Sequence, residues 1–323
     1  MEKVKLALIG AGAMANAVHY PSLAEMPDVH LCALCELIDE KRQQTAQRFA
    51  IPRTYSDYRE MLAKEDPDAV YVLMPPHHLF DIVVYCLKAR KHVFIEKPPA
   101  VTTFQAEELA RLAERNGCLT MVGFNRRFIP LLQRVREEQA KAGELNLAVA
   151  AFHKAQPEAL YYDGAIDVLH CDAIHAVDAL RWMGGDVVAV ASHVGSSSSA
   201  RQNRFVAVME FASGASGVLL ANWDSGARVH TFEWHAPGFV AYADPGGPDA
   251  PGQAVIRRPA GAQTISAAEA AGSTEFAKFY GFYAENRCFI DCLKRGQQPE
   301  TCFSDAAKTM ALADAILCNR IGR

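Results

Sequence analysis

The run Val93-Phe94-Ile95-Glu96-Lys97-Pro98 sets an amine where a short apolar β-strand ends. Open α/β sheets bind ligands outside the carboxyl ends of their strands, so Lys97 is expected to point into a cleft. A second run, Gly10-Ala11-Gly12-Ala13-Met14-Ala15, follows the strand pattern Val4–Ile9 and opens a helical stretch. Its chemistry is anion binding. The first glycine permits a tight turn, the second lets the backbone approach a pyrophosphate, and the small Ala15 allows close helix packing. The helix N-terminus then supplies N–H donors. Glu36 ends the second strand pattern, where a carboxylate accepts from ribose hydroxyls and repels a 2′-phosphate. Leu37 offers no cation, and the nearest, Lys41 and Arg42, fall on the next helix. NAD rather than NADP is therefore the expected cofactor.

Other candidates follow from position. Pro75-Pro76-His77-His78 comes after the strand pattern Ala69–Met74, at the same sheet edge; either histidine can cap the next helix or serve the cofactor. Arg126 and Arg127 follow the last strand of this half. They either hold an anionic or polyhydroxylated substrate or pair with acids between domains. His175 lies on a long helical stretch with Asp172 one turn before it, and an imidazole titrates near neutral pH as a general base must. Its competing role is a packed helix histidine bonded to Asp178. Asn125, Tyr161, Tyr162, Tyr280 and Tyr283 are sugar-contact candidates. Cys171 and His175 have a metal-compatible spacing, but beyond Asp172 or His170 no third ligand is evident, so no metal is expected. Cys32 and Cys35 spell CxxC inside a strand pattern whose residues alternate faces, so they read as core. Cys288 and Cys292 share a helix face and read the same way.

The elements that must position these residues fall into two halves. Up to residue 124, strands (Val4–Ile9, Val29–Cys35, Ala69–Met74, Val93–Ile95, Thr120–Val122) alternate with helical stretches, which implies a doubly wound parallel sheet. From residue 125 the rhythm changes to a helix at Pro130–Ala142, a strand at Leu145–His153 and a helix from Ile166 to Met183. Serial strand patterns then run at Val187–His193, Phe205–Phe211, Ala215–Trp223, Val229–His235 and Phe239–Tyr242. That is an α+β domain with a largely antiparallel sheet. Residues 244–273, rich in Pro, Gly and Ala, read as a long loop, and helices at Glu275–Arg295 and Ser304–Asn319 close the chain. The expected domains are 1–124 and 125–323.

The chain has 323 residues, a formal charge of −4 and no basic block, which argues against nucleic acid as a partner. Nothing in it resembles a membrane span or a signal peptide. Nine scattered cysteines suit reduced thiols in the cytoplasm.

Taken together, the glycine run, His78 before a helix, Lys91-His-Val-Phe-Ile-Glu96-Lys97-Pro98 and Met121-Val-Gly123-Phe-Asn125-Arg126-Arg127-Phe128 resemble the Gfo/Idh/MocA oxidoreductases. The likeness continues through His175-Ala-Val-Asp178-Ala-Leu-Arg181-Trp182 and Tyr283–Phe289, and is nearest to the MviM or virulence-factor-like subgroup. The resemblance implies a Rossmann domain and an α/β domain whose open sheet builds homodimers or homotetramers. It also implies hydride transfer between NAD(P) and a secondary alcohol of a sugar or cyclitol, with Lys97, His175 and Asp172 catalytic. The Lys97-Pro98 bond is expected to be cis. Cofactor contacts then fall to Gly10, Gly12, Ala13, Met14, Ala15, Glu36, Pro75, His78, Glu96, Lys97 and Asn125. Substrate contacts fall to Lys97, Arg126, Asp172, His175 and Tyr283. One departure stands out: relatives place an aspartate four residues before the histidine, where this chain has Cys171, and Asp172 lies only three before. Either Lys97 or His175 can take the proton. Two alternatives are redox-assisted glycoside cleavage with retained NAD and a non-catalytic NAD-binding regulator.

Overall fold

Val4-Lys5-Leu6-Ala7-Leu8-Ile9 has one polar position in six, as a strand covered on both faces requires. In the computed structural model, which describes residues 3–196 and 198–318, this segment is central in a six-stranded parallel sheet. The strands are β1 (Val4–Ile9), β2 (Val29–Cys35), β3 (Arg53–Tyr55), β4 (Ala69–Val72), β5 (His92–Ile95) and β6 (Thr120–Val122). Their order, β3-β2-β1-β4-β5-β6, is doubly wound, with the chain reversing direction across the sheet between β1 and β4. Every strand expected here is present. β3 is an addition: three residues are too few for a periodicity to register. Cys32 and Cys35 are buried, and desolvation pushes their thiols up to about 11 and about 12, as core cysteines should be.

The chain forms two compact units. The first contains the residues up to Phe124 together with Phe282–Ala307, so the latter segment does not group with the rest of 125–323. Its helix Phe282–Arg295 packs Phe289 against Tyr71 and Phe94, with ring centroids 5.7 and 5.8 Å away, and Arg287 donates to Asp28 at 2.8 Å. The helix expected from Glu275 to Arg295 is split at Gly281, into Phe276–Phe279 and Phe282–Arg295. Gly281 has φ +88, and a Cβ there would lie 2.5 Å from the Asn125 carbonyl oxygen, so neither helix can run through it.

The second unit, Asn125–Gly281 with the residues from Lys308 on, holds an eight-stranded sheet. Its strands are β7 (Leu147–Ala155), β8 (Val187–Gly195), β9 (Arg204–Phe211), β10 (Ser216–Asn222), β11 (Asp224–Ala236), β12 (Phe239–Gly246), β13 (Pro251–Arg258) and β14 (Gly261–Ser266). The order is β14-β13-β12-β11-β7-β10-β9-β8, antiparallel except where β10 runs beside β7. Side-chain alternation gives the sheet two faces. On β9, Phe205, Ala207, Met209 and Phe211 are buried, while Val208 and Glu210 are exposed. The helix Ile174–Gly184 lies on β7 and β10 and ends, as expected, at Gly185, whose φ of +90 suits only glycine.

The long loop expected over 244–273 is not there. β13, β14 and the helix Ala267–Ala271 occupy most of it. Ala254 and Ile256 are buried at alternating positions, a period that the surrounding Pro, Gly and Ala content hides. The last helix is Phe303–Cys318; Asn319, where it was expected to end, lies outside the described residues. Among the described residues no helix is long and apolar enough to cross a membrane.

Candidate functional site

In the first unit the glycine run has the local geometry its chemistry requires. Gly10 has φ +102, and a Cβ there would lie 2.6 Å from the Leu73 carbonyl oxygen, so only glycine fits. A Cβ on Gly12 would meet nothing within 4 Å, which leaves its backbone open to approach. Ala15 is buried. The Ala11 N–H donates to Glu36 Oε2 at 2.9 Å, and Glu36 Oε1 accepts from the Ile38 N–H at 3.0 Å. The acid at the end of β2 is thereby fixed against the turn after β1. Beside it lies a cavity of about 330 Å³ lined by Glu36, Leu37, Ser56, Asp57, Tyr58 and Arg59 among others. Ser56 to Arg59 were not read from the sequence, because they follow β3, which was not recognised. Met14 and Leu37 expose large apolar surfaces at this edge. A turn open to anions, an acid for ribose hydroxyls and an adjoining partly apolar cavity fit a dinucleotide.

The helix Pro76–Lys88 begins with proline at its first position, where the missing N–H is harmless. His77 and His78 are exposed within its first turn, directly after Pro75 at the N-cap position. Glu96 and Lys97 follow directly on β5, and the Lys97-Pro98 bond is cis. Glu96 Oε2 accepts from the Lys97 N–H at 3.1 Å, and His19 Nε2 lies 2.6 Å from Glu96 Oε1. Burial would raise the Glu96 carboxyl; the His19 hydrogen bond and the charges of His19 and Lys97 outweigh it and hold it below the usual range. The buried Glu285 brings a second carboxylate to this place. Among the described residues His19, Glu96 and Glu285 are the group with ligand atoms close enough for a metal, within 4.8 Å of one another. His19 has no sequence signal beyond its place on the helix after the glycine run.

In the second unit Asn125–Phe128 forms one 3₁₀ turn. Asn125 is buried, donates to the Tyr280 carbonyl at 2.8 Å and accepts from Arg126 at 2.6 Å. The Arg126 guanidinium stands 4.9 Å from the centre of the Tyr280 ring. Arg127 makes a buried two-point pair with Asp178, at 2.8 and 2.6 Å, and Thr309 donates to the same carboxylate at 3.0 Å. The pairing of Arg127 with an acid is therefore internal to this unit. Asp172 Oδ2 accepts from Lys154 and, at 2.7 Å, from the Tyr161 hydroxyl, which in turn accepts from Trp223 Nε1 at 3.1 Å. Burial and the Asp172 charge push the Tyr161 phenol up, so it stays a donor. Cys171 and His175 are both buried. Tyr283 is half-buried and belongs to the first unit, whereas Tyr161, Tyr162 and Tyr280 belong to the second. Lys154, Arg228 and His230, which the sequence reading passed over, surround the Phe152 ring.

Residues 4–124 match the oxidoreductase family described as having an NAD-binding Rossmann fold. That segment is similar to the Rossmann domain of the Gfo/Idh/MocA oxidoreductases. Among curated relatives, the D-glucoside 3-dehydrogenase of Escherichia coli (strain K12) is 31% identical over 46% of this chain and 42% of its own length. The myo-inositol 2-dehydrogenase of Thermotoga maritima is 24% identical over 67% of each. The matched stretch thus spans about half to two thirds of such relatives. The fold of the dehydrogenase MviM from Clostridium difficile superposes with a TM-score of 0.85 at 21% identity, covering 98% of this chain and 99% of that one. The family binds a nicotinamide cofactor.

Removing one partner of a buried ion pair costs about 3–5 kcal/mol, since the other charge is stranded. Arg127→Leu is expected to destabilise the second unit by that order, read as an earlier transition in urea followed by tryptophan fluorescence. Unchanged unfolding would show that the pair is not structural.

Proposed function

We propose that the protein is an NAD-dependent dehydrogenase or reductase acting on a secondary alcohol or ketone of a sugar, cyclitol or related polyol. The observation that carries this is the Glu36 carboxylate hydrogen-bonded to the Ala11 N–H, an acid held at the glycine turn where a ribose would lie. NAD is favoured over NADP. Glu36 repels a 2′-phosphate, Leu37 is exposed without charge, and the nearby Arg42 is engaged with the Glu36 carbonyl at 2.7 Å and with Asp39.

Gly10, Gly12, Ala13, Met14 and Ala15 would hold the pyrophosphate, Glu36 the ribose, and Pro75, His78, Glu96 and Lys97 the nicotinamide end. The cofactor supplies the hydride acceptor, or the donor in the reverse direction. The Lys97 ammonium stabilises negative charge as it develops on the substrate oxygen, an electrostatic role. His175 takes the hydroxyl proton, and Arg126, Asp172 and Tyr283 bind hydroxyls. Glu96, kept anionic by His19, holds the Lys97 backbone N–H and so fixes the start of the lysine's chain.

The test is a panel of sugars and cyclitols scored for NADH formation. Lys97→Ala is expected to lower kcat by about 10²- to 10³-fold, the scale of one lost electrostatic group. Equal turnover in both proteins ends the role given to Lys97.

We also propose that the outer face of the eight-stranded sheet joins copies of the chain into a homodimer or homotetramer. It exposes Val208 and Tyr242, with half-buried Val218, Leu220 and Val149 on β10 and β7 between them, and an apolar patch on a sheet is a contact surface. Val208→Asp is expected to shift the species seen in sedimentation velocity towards monomer; a monomeric wild type would remove the proposal.

A further inference from the structure

One face of β7 and β11 turns from apolar to basic along its length. Phe152 on β7 is the cross-strand partner of His230 on β11, and their rings stack 4.0 Å apart at an interplanar angle of 5°. Lys154, two residues on from Phe152, puts its Nζ 5.4 Å from the Phe152 ring centre. Arg228, two residues before His230, puts its guanidinium carbon 5.8 Å from that centre. Arg228 also stands 5.7 Å from the Tyr280 ring, which Arg126 approaches at 4.9 Å.

Like charges set this close, with Arg126 buried, Lys154 partly covered and Arg228 exposed at the edge, are stable where something negative offsets their repulsion. Ring faces do part of this. Asp172 does more, but it is bonded to Lys154 and Tyr161. Arg228 donates to the Gly246 carbonyl at 3.2 Å and to the Tyr280 hydroxyl, neither of which carries a charge. His230 is 1% exposed, and neither ring nitrogen has a hydrogen-bond partner among the described residues. Burial, then the charges of Arg126, Arg228, Lys154 and His153, hold it well below the ordinary imidazole value. It is a neutral ring with one donor and one acceptor to satisfy.

We propose that this basic end of the sheet binds a carboxylate of the substrate, which makes that substrate a polyhydroxylated acid such as an aldonate or uronate. Arg228 meets the charge, and His230 bonds a hydroxyl beside it. Asp172 offsets Lys154, and Arg126 and Arg228 carry the charge that remains; Arg126 stands on the Tyr280 ring, so Arg228 is the cation that meets the carboxylate. The inference rests on the dehydrogenase reading for what the second unit binds, but its test reads binding apart from turnover.

The full chain, saturated with NAD, is titrated calorimetrically with D-gluconate, D-glucuronate, D-glucose, myo-inositol and D-glucose 6-phosphate. At least one acid is expected to bind about tenfold or more tightly than the neutral compounds, about 1.4 kcal/mol. Salt should weaken that binding. Arg228→Gln, at an exposed position where folding is not at stake, should abolish the preference. Neutral compounds bound as tightly, the phosphate preferred over both acids, no acid bound at all, or a preference that survives Arg228→Gln would each overturn the proposal. An acid bound with the expected preference but never oxidised sinks the dehydrogenase reading and leaves the anion site standing. Oxidation confined to neutral polyols does the reverse.

Discussion

The hydrogen bond from the Ala11 N–H to Glu36 Oε2 ties together the two strand ends on which the first unit's chemistry depends. The sheet's own ladder brings those ends level: Gly10 donates to the Cys35 carbonyl and Leu73 to the Ile9 carbonyl, each at 2.8 Å, beyond the last paired residues. Three strands therefore stop at one height. Gly10 can turn away at that point because φ +102 is open to it, and its close approach to Leu73 leaves no room for a side chain. An acid one residue earlier or later on β2 would point to the other face of the sheet, since side chains alternate. Specificity for the cofactor thus begins as a register between two strands.

The second unit solves its problem differently. A parallel sheet offers its strand ends, but an antiparallel sheet packed by a helix offers a face. Trp234, Phe232 and His230 descend that face on β11, and Ala148, Ala150, Phe152 and Lys154 on β7. The apolar positions hold the helix Ile174–Gly184, and where they give way to Lys154, Arg228 and His230 the face becomes polar without leaving the sheet. The rigidity of the packed part is lent to the polar part. The Arg127–Asp178 pair fixes the opening turn of this unit to the same helix.

How much of this was legible depended on how far apart in sequence the cooperating residues lie. Gly10, Gly12, Glu36 and Lys97 were readable because each sits at a strand end, and strand ends in a parallel sheet converge by topology. Lys154, Arg228 and His230 were not, because their meeting depends on the β7–β11 register, which shifts between Asp224 and Val229. A trace was present nonetheless: His230 shares the parity of Phe232 and Trp234, so a polar residue occupies a core-facing position. A polar residue in the buried phase of a strand is a functional signal. β13 and β14 were lost to composition, and the grouping of Phe282–Ala307 with the first unit was lost because an amphipathic helix does not say which sheet it covers.

The shifted acid on the long helix has a structural counterpart. Counted at about 100° per residue, a residue three before His175 lies about 60° to one side of it and a residue four before about 40° to the other. Those offsets assume a uniform α-helix, and Leu169–Ala173 is wound as a π-helix. A π turn closes on the fifth residue rather than the fourth, so each step turns through less. The alignment with His175 then moves towards Cys171 and away from Asp172. Asp172 is correspondingly bonded towards the sheet, to Lys154 and Tyr161. The same winding recurs at Ala15–His19, the other π stretch among the described residues, on the helix that follows the glycine run and carries His19 to Glu96. In both helices the irregular turn adds a residue where a side chain is needed off the regular face, so on the long helix the acid serves the basic end of the sheet before it serves the imidazole.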